Sequence, residues 1–132
     1  MLNIRSAGDA LCRAVVYSKD GATGWTLPVF EQDLLEPVCM RSLLRYRKGR
    51  RPLLFANPDH LDDAALFRKG RNSTRQNLTL QANWNDGKTW RKLLTVDPDL
   101  STCSDLAANA RGEILFSTKR AAAIKMRSLE GR

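Results

Sequence analysis

Histidine is almost missing from this sequence, with His60 as its single representative. A histidine-rich metal site is therefore excluded, and a Ser-His-Asp arrangement would have one candidate base. Cysteine is scarce as well. Cys12, Cys39 and Cys103 are odd in number, far apart and without CxxC spacing, which indicates neither a disulfide framework nor a zinc site. No apolar run approaches the roughly 18 residues that suggest a membrane span. Charges are scattered through Met1 to Arg13, so no signal-peptide core is present there. These absences make a cytoplasmic chain without a membrane partner the default expectation, and no residue pattern calls for a cofactor.

Acidic residues are the minority among the charges. Fourteen Asp and Glu stand against 22 Lys and Arg, a formal net charge of +8, which favours an anionic partner. Hydrophobic content is 42% in 132 residues, enough for the core of one domain or part of one.

Helical patterning is thin. Residues 62–69 have the composition of one or two turns, and 121–129 hold helix-forming alanines without an apolar stripe. Strand patterning is the stronger signal. Residues 11–17 (LCRAVVY) are rich in β-branched and aromatic side chains and run into Asp20-Gly21. Residues 42–46 and 52–56 flank Lys48-Gly49 and read as a hairpin with a short basic loop. In 76–83, Leu78 and Leu80 alternate with Asn77, Thr79 and Gln81, and Asp86-Gly87 follows. Residues 113–118 follow Arg111-Gly112, a further hairpin signal.

One element occurs twice. Ser18-Lys-Asp-Gly-Ala-Thr-Gly-Trp25 and Asn83-Trp-Asn-Asp-Gly-Lys-Thr-Trp90 each follow a strand and share a frame of small polar residue, Asp or Asn, glycine and tryptophan. The chemistry is that of a hairpin turn. Asp20 or Asn85 accepts bonds from turn amides, Gly21 or Gly87 supplies positive φ, and Trp25 or Trp90 folds back onto the strands. Such units, unable to bury an apolar face alone, suggest stacked sheets like the blades of a propeller.

The repeated element resembles the Asp box, S-x-D-x-G-x-T-W, of sialidases and related propellers, with Ser18, Asp20, Gly21, Trp25, Asn83, Asn85, Gly87, Thr89 and Trp90 as its structural residues. Ala22 and Gly24 stand where the pattern has Gly and Thr, and Asn83 and Asn85 where it has Ser and Asp. Other segments follow in the family's order. Leu2-Asn3-Ile4-Arg5-Ser6 is similar to LNxRS. Glu36-Pro37-Val38-Cys39 is followed by Ser42-Leu43-Leu44-Arg45-Tyr46, and Leu54-Phe55-Ala56-Asn57-Pro58 is similar to LFSNP. Arg75-Gln76-Asn77-Leu78-Thr79-Leu80 leads into the second box, and Thr102-Cys103-Ser104-Asp105-Leu106 occupies the place of AYSDL. The resemblance implies an all-β fold, a partial six-bladed β-propeller of about three blades of antiparallel sheet, with residues 1–132 as one partial domain and 119–132 as a terminal strand or short tail.

The family activity is hydrolysis of terminal α-sialic acid from glycans. Three arginines clamp the sugar's carboxylate there, because a guanidinium can donate paired, charge-assisted bonds to both oxygens. By resemblance Arg5 matches the second clamp arginine and Arg75 the third; the first belongs to a region before Met1. The family's nucleophile is a tyrosine, and its position here is Cys103, too short for its sulfur to reach the anomeric carbon. A small buried hydrophobe is the expectation for Cys103. The assisting glutamate and the acid/base aspartate of the family also precede Met1. Leu115-Phe116-Ser117 replaces the family's LYE, whose glutamate supports the first arginine. The implied reading is a sialidase-like chain that is inactive by itself, weak in sialic acid binding, and completed by another chain or by self-association through open sheet edges.

A different class of reading rests on charge. Arg41, Arg45, Arg47, Lys48, Arg50 and Arg51 cluster around one hairpin with Tyr46 inside. Such a patch suits a binding module for a polyanionic glycan or nucleic acid, against the simpler alternative of a solvated basic turn. Two N-x-S/T sequons, at Asn72 and Asn77, would matter in a eukaryotic secretory setting. His60 lies in a polar loop and reads as a turn residue.

Overall fold

Two runs, Leu53–Pro58 and Leu78–Asn83, are buried along their whole length, and the architecture is built around them. The computed structural model describes residues 1–6, 10–61, 75–99, 101, 103–120 and 123–129, with backbone alone for 119–120 and 123–129. The strands are β1 (Leu2–Ile4), β2 (Cys12–Val16), β3 (Val29–Leu35), β4 (Ser42–Arg45), β5 (Leu53–Pro58), β6 (Leu78–Asn83), β7 (Arg91–Asp97), β8 (Ser104–Ala108), β9 (Ile114–Arg120) and β10 (Ala123–Leu129). No helix occurs among the described residues.

The described residues are all-β and form three antiparallel sheets, none of them closed. Their orders are β1-β2-β3, β4-β5-β6-β7 and β8-β9-β10, so each sheet is a meander of sequence neighbours. Antiparallel neighbours can be joined by a turn alone, as β4 and β5 are, although residues 59–77 separate β5 from β6.

The side-chain period of two explains why β5 is buried on both faces. Leu54 and Ala56 join Leu78, Leu80 and Ala82 of β6 in a core that includes Leu106, Ile114 and Phe116 of the third sheet. Leu53 and Phe55 point the other way, into a core with Trp90 and with Leu34 of the first sheet. The four-stranded sheet thus lies between the other two. Phe55 and Trp90 contact each other with ring centroids 5.7 Å apart and planes tilted by 60°. On this second side β6 is polar, with Thr79, Gln81 and Asn83 buried there. Gln81 Nε2 donates to Asn57 Oδ1 (3.3 Å), and Asn57 Nδ2 donates to the Leu35 carbonyl (3.2 Å).

Residues 42–46 and 52–56 form the expected hairpin, with Ser42 opposite Ala56 and Arg45 opposite Leu53. The alanine-rich stretch near the end is a strand. Ala123–Leu129 pairs along its length with β9, where Met126 opposes Ser117 and Leu129 opposes Ile114. The pairing overrides the helical propensity of alanine. Residues 62–69, a candidate for helical turns, lie outside the described residues.

Candidate functional site

Strand direction sorts the candidate residues into two groups. The end of β1, the start of β2 and the end of β3 lie together, since Ile4 pairs with Ala14 and Cys12 with Leu35. The start of β4, the end of β5, the start of β6 and the end of β7 lie together in the same way. The Asn57 bond to the Leu35 carbonyl joins these two groups, and Ser104 Oγ, donating to the Ala56 carbonyl at 2.9 Å, adds the start of β8. One end of the sheets therefore collects Arg5 after β1, residues 36–41 between β3 and β4, Arg75 before β6 and Cys103 before β8. Both repeated turns lie at the opposite end.

Arg5 is exposed at the end of β1. Arg75 is half-buried, and its guanidinium donates from Nε to the Pro37 carbonyl (3.2 Å) and from Nη2 to the Val38 carbonyl (2.8 Å). It is thereby held against the segment that links β3 to β4. Cys103 is only half-buried, where a buried side chain was expected. The reason is its place in the loop before β8 rather than within the strand. It lies close enough to Cys39 for the two thiols to interact electrostatically. His60 follows β5 and is half-buried.

A buried ionic network underlies this end, and sequence reasoning missed it. Glu36, fully out of solvent, accepts from Arg13 Nη1 on one oxygen and from the Cys39 amide (3.2 Å) on the other. Arg41 Nη2 approaches the same carboxylate at 3.6 Å, with a side chain only 1% exposed. Arg13 also donates from Nε to Asn3 Oδ1 (2.5 Å) and lies 6.0 Å from the Phe55 ring centroid. Burial pulls the Arg41 guanidinium below its ordinary pKa and pushes the Cys39 thiol up, although Arg41 and Arg75 partly offset the latter. The Glu36 backbone amide donates to the Leu11 carbonyl at 2.9 Å, which fixes the carboxylate between strands. Thus Glu36 positions the loop whose next two carbonyls hold Arg75. The available signal was Arg13 itself, a charge inside the otherwise apolar run LCRAVVY.

The two repeated turns share one hydrogen-bond scheme, displaced by a residue. In the first, the single Ser18 Oγ proton is shared between Asp20 Oδ1 (2.7 Å) and the Thr23 carbonyl (2.5 Å), and Oγ accepts from the Gly21 amide (3.0 Å). In the second, Asn83 Nδ2 donates to Asn85 Oδ1 (2.7 Å) and to the Thr89 carbonyl, while Asn83 Oδ1 accepts from the Gly87 amide (2.6 Å). Asp20 Oδ1 accepts from the Thr23 amide (2.8 Å) just as Asn85 Oδ1 accepts from the Thr89 amide (3.1 Å). Gly21 and Thr23 therefore take the parts of Gly87 and Thr89. The first turn is one residue tighter, and Gly24 (φ 58°) restores the length before Trp25. This revises the expectation that Ala22 and Gly24 replace the glycine and threonine of the pattern. The threonine hydroxyls also exchange roles. Thr23 Oγ1 donates to Asp20 Oδ2 (2.6 Å), whereas Thr89 Oγ1 accepts from Asn85 Nδ2 (2.9 Å). The bonds from Thr23, Ala22 and Ser18 hold the Asp20 carboxyl well below the usual carboxylate range. The tryptophans diverge. Trp90 is buried, whereas Trp25 is 37% exposed, with Nε1 donating to the Ala22 carbonyl at 3.2 Å.

The basic hairpin is not the uniform patch that its sequence suggests. Arg41 is buried in the network around Glu36 at the other end of β4. Arg45 bonds the Arg51 carbonyl and Asp86, each at 3.1 Å. Lys48 Nζ donates to the Arg111 carbonyl, and the Arg50 guanidinium lies 5.8 Å from the Trp84 ring centroid. Asn77 is half-buried with φ 59°, and Asn72 lies outside the described residues. No group of His, Cys, Asp and Glu among the described residues could hold a metal ion. No described helix is long and apolar enough to cross a membrane.

No protein-family model matches this chain, and no curated protein matches it either.

Proposed function

We propose that this chain is a sialidase-like propeller module that retains part of a carboxylate-binding face and has no hydrolytic activity of its own. The observation that carries this reading is positional. Two turns with one hydrogen-bond scheme occupy the same place in successive meander sheets, after β2 and after β6, while Arg5, Arg75 and Cys103 gather at the other end. Turns that brace a sheet at one end and ligand groups in loops at the other are the division of labour a propeller uses.

In this reading Arg5 and Arg75 supply the charge for a sugar carboxylate, and Glu36 is the positioning residue behind Arg75. Cys103 takes the place of the nucleophile without its reach, and removal of one member of a catalytic unit costs orders of magnitude in rate. A further edge strand, from a second chain or another copy, would extend the first sheet along β1, where Leu2 and Ile4 are 51% and 40% exposed.

The test is a pair of measurements on the purified chain. A fluorogenic sialoside should be hydrolysed at the buffer rate, and free N-acetylneuraminate should bind weakly, with binding lost in Arg5→Ala and Arg75→Ala. Turnover abolished by Arg75→Ala would overturn the inactive reading; absence of any sugar binding would overturn the carboxylate face.

A further inference from the structure

At the end of the sheets opposite Arg5 and Arg75, the β4–β5 turn and the β8–β9 turn enclose a cleft of about 310 Å³. This volume is at the bottom of the range for small-molecule pockets, about 300–1,000 Å³. It has room for a compact molecule. The two walls come from different sheets and are fastened to each other. Tyr46 Oη donates to the Gly112 carbonyl at 2.8 Å, and Lys48 Nζ donates to the Arg111 carbonyl. Gly112 has φ +93°, a left-handed conformation that favours glycine and sets the course of the β8–β9 turn. The cleft is consequently formed before any ligand arrives.

Its lining is mixed. Leu44 and Ala108 give it an apolar floor, and Arg45, Arg47 and Lys48 border it with positive charge. The neighbouring acids are already committed. Glu113 accepts from Asn109 Nδ2 and pairs with Arg111 Nε at 3.3 Å, and Asp86 pairs with Arg45. The Arg45–Asp86 pair is exposed, with side chains 48% and 83% accessible, and such a pair exchanges readily for a ligand anion. Arg47 and Lys48 have no carboxylate partner among the described residues.

We propose that this cleft binds a small organic anion, one carboxylate or phosphate group carried on a compact uncharged body. The oxyanion meets Arg47 and Lys48, and the body rests on Leu44 and Ala108. This site goes beyond the sialidase-like reading and stands on other residues.

Calorimetric titration of the full chain at fixed ionic strength, with glucuronate, glucose 6-phosphate, glucose and inorganic phosphate as probes, tests it. Glucuronate or glucose 6-phosphate, whichever oxyanion suits, should bind while glucose does not. Arg47→Gln, at an exposed position, should keep the circular dichroism spectrum and weaken binding by roughly tenfold or more, the effect of losing one charge-assisted hydrogen bond. Arg5→Ala and Arg75→Ala should leave it unchanged. Equal binding of glucose, binding of inorganic phosphate alone, no effect of Arg47→Gln, or loss in Arg75→Ala would each overturn the proposal. The outcome of the sialic acid experiment does not bear on it.

Discussion

Arg13 and Glu36 form an ion pair inside the protein, with side chains 6% and 0% exposed. Arg41 shares the same carboxylate, so Glu36→Ala would leave two guanidinium groups buried without it. Removing one partner of a buried pair costs about 3–5 kcal/mol. That is a large part of the roughly 5–15 kcal/mol that separates folded from unfolded domains. Glu36→Ala should therefore lose its cooperative urea transition or show a strongly lowered midpoint. Glu36→Gln keeps an acceptor but not the charge and should fall between. An unchanged midpoint in both variants would remove the network from any central role.

The first repeated turn predicts a difference between two substitutions at Asp20. Asp20→Asn can copy the Asn85–Thr89 arrangement, in which the amide donates and the threonine hydroxyl accepts, so its cost should be small. Asp20→Ala removes the acceptor for the Ala22 and Thr23 amides and should lower the thermal midpoint more. The pH dependence has a definite sign. The folded Asp20 carboxyl titrates below the unfolded value of about 3.9, so its stabilisation is fully present above that pH and is lost as the pH falls through the depressed folded pKa. Thermal melts of the wild type and Asp20→Asn between neutral pH and pH 2 should converge on acidification. Parallel curves would show that the carboxylate contributes nothing.

The two tryptophans of the repeated turns should respond differently to truncation. Trp90 packs on Phe55 and Leu34 between two sheets, and Trp90→Ala should cost about 3–5 kcal/mol, as expected of a buried aromatic. Trp25 is partly in solvent and reaches only the Ala22 carbonyl with its nitrogen, so Trp25→Ala should shift the urea midpoint much less. Comparable losses would mean that Trp25 is buried in solution by something seated on the first sheet.

These contrasts show which parts of the structure could be read from sequence. Strands with strong β composition and a following glycine, such as 42–46 and 76–83, were legible, because pattern and turn chemistry agree there. β3 and β7 were harder. Val29–Leu35 carries Glu31, Gln32 and Asp33, and Arg91–Asp97 is largely exposed, so neither has a clean apolar face to mark it. β10 was masked by alanines whose local preference yields to pairing with β9. At the candidate site, the placement of Arg5, Arg75 and Cys103 at one end follows from strand alternation once the strands are known. The Glu36 network was not legible, because it joins Asn3 of β1 and Arg13 of β2 to Glu36 and Arg41 of the β3–β4 loop. Long-range pairing of charges leaves no local period. The one-residue tightening of the first turn was hidden for another reason: the insertion of Gly24 keeps the total spacing to Trp25 constant.

The three thiols give a direct probe of the proposed carboxylate face. Cys12 and Cys39 are buried, and burial pushes both thiols above the ordinary cysteine pKa, while Cys103 is half-buried beside Cys39. Reaction with iodoacetamide requires an accessible thiolate, so under native conditions Cys103 should label first, roughly tenfold or more ahead of the others, which react only through opening of the structure. Peptide mapping by mass spectrometry over a time course reads the order. The same experiment with N-acetylneuraminate present adds the functional test. A sugar carboxylate held by Arg5 and Arg75 lies at the end of the sheets where Cys103 sits, and should slow its labelling without changing that of Cys12. Arg75→Ala should abolish the protection and leave the rate without sugar similar. Labelling of Cys103 at one rate with and without saturating sugar would place the ligand elsewhere, and earlier labelling of Cys39 would contradict its burial beneath Arg41.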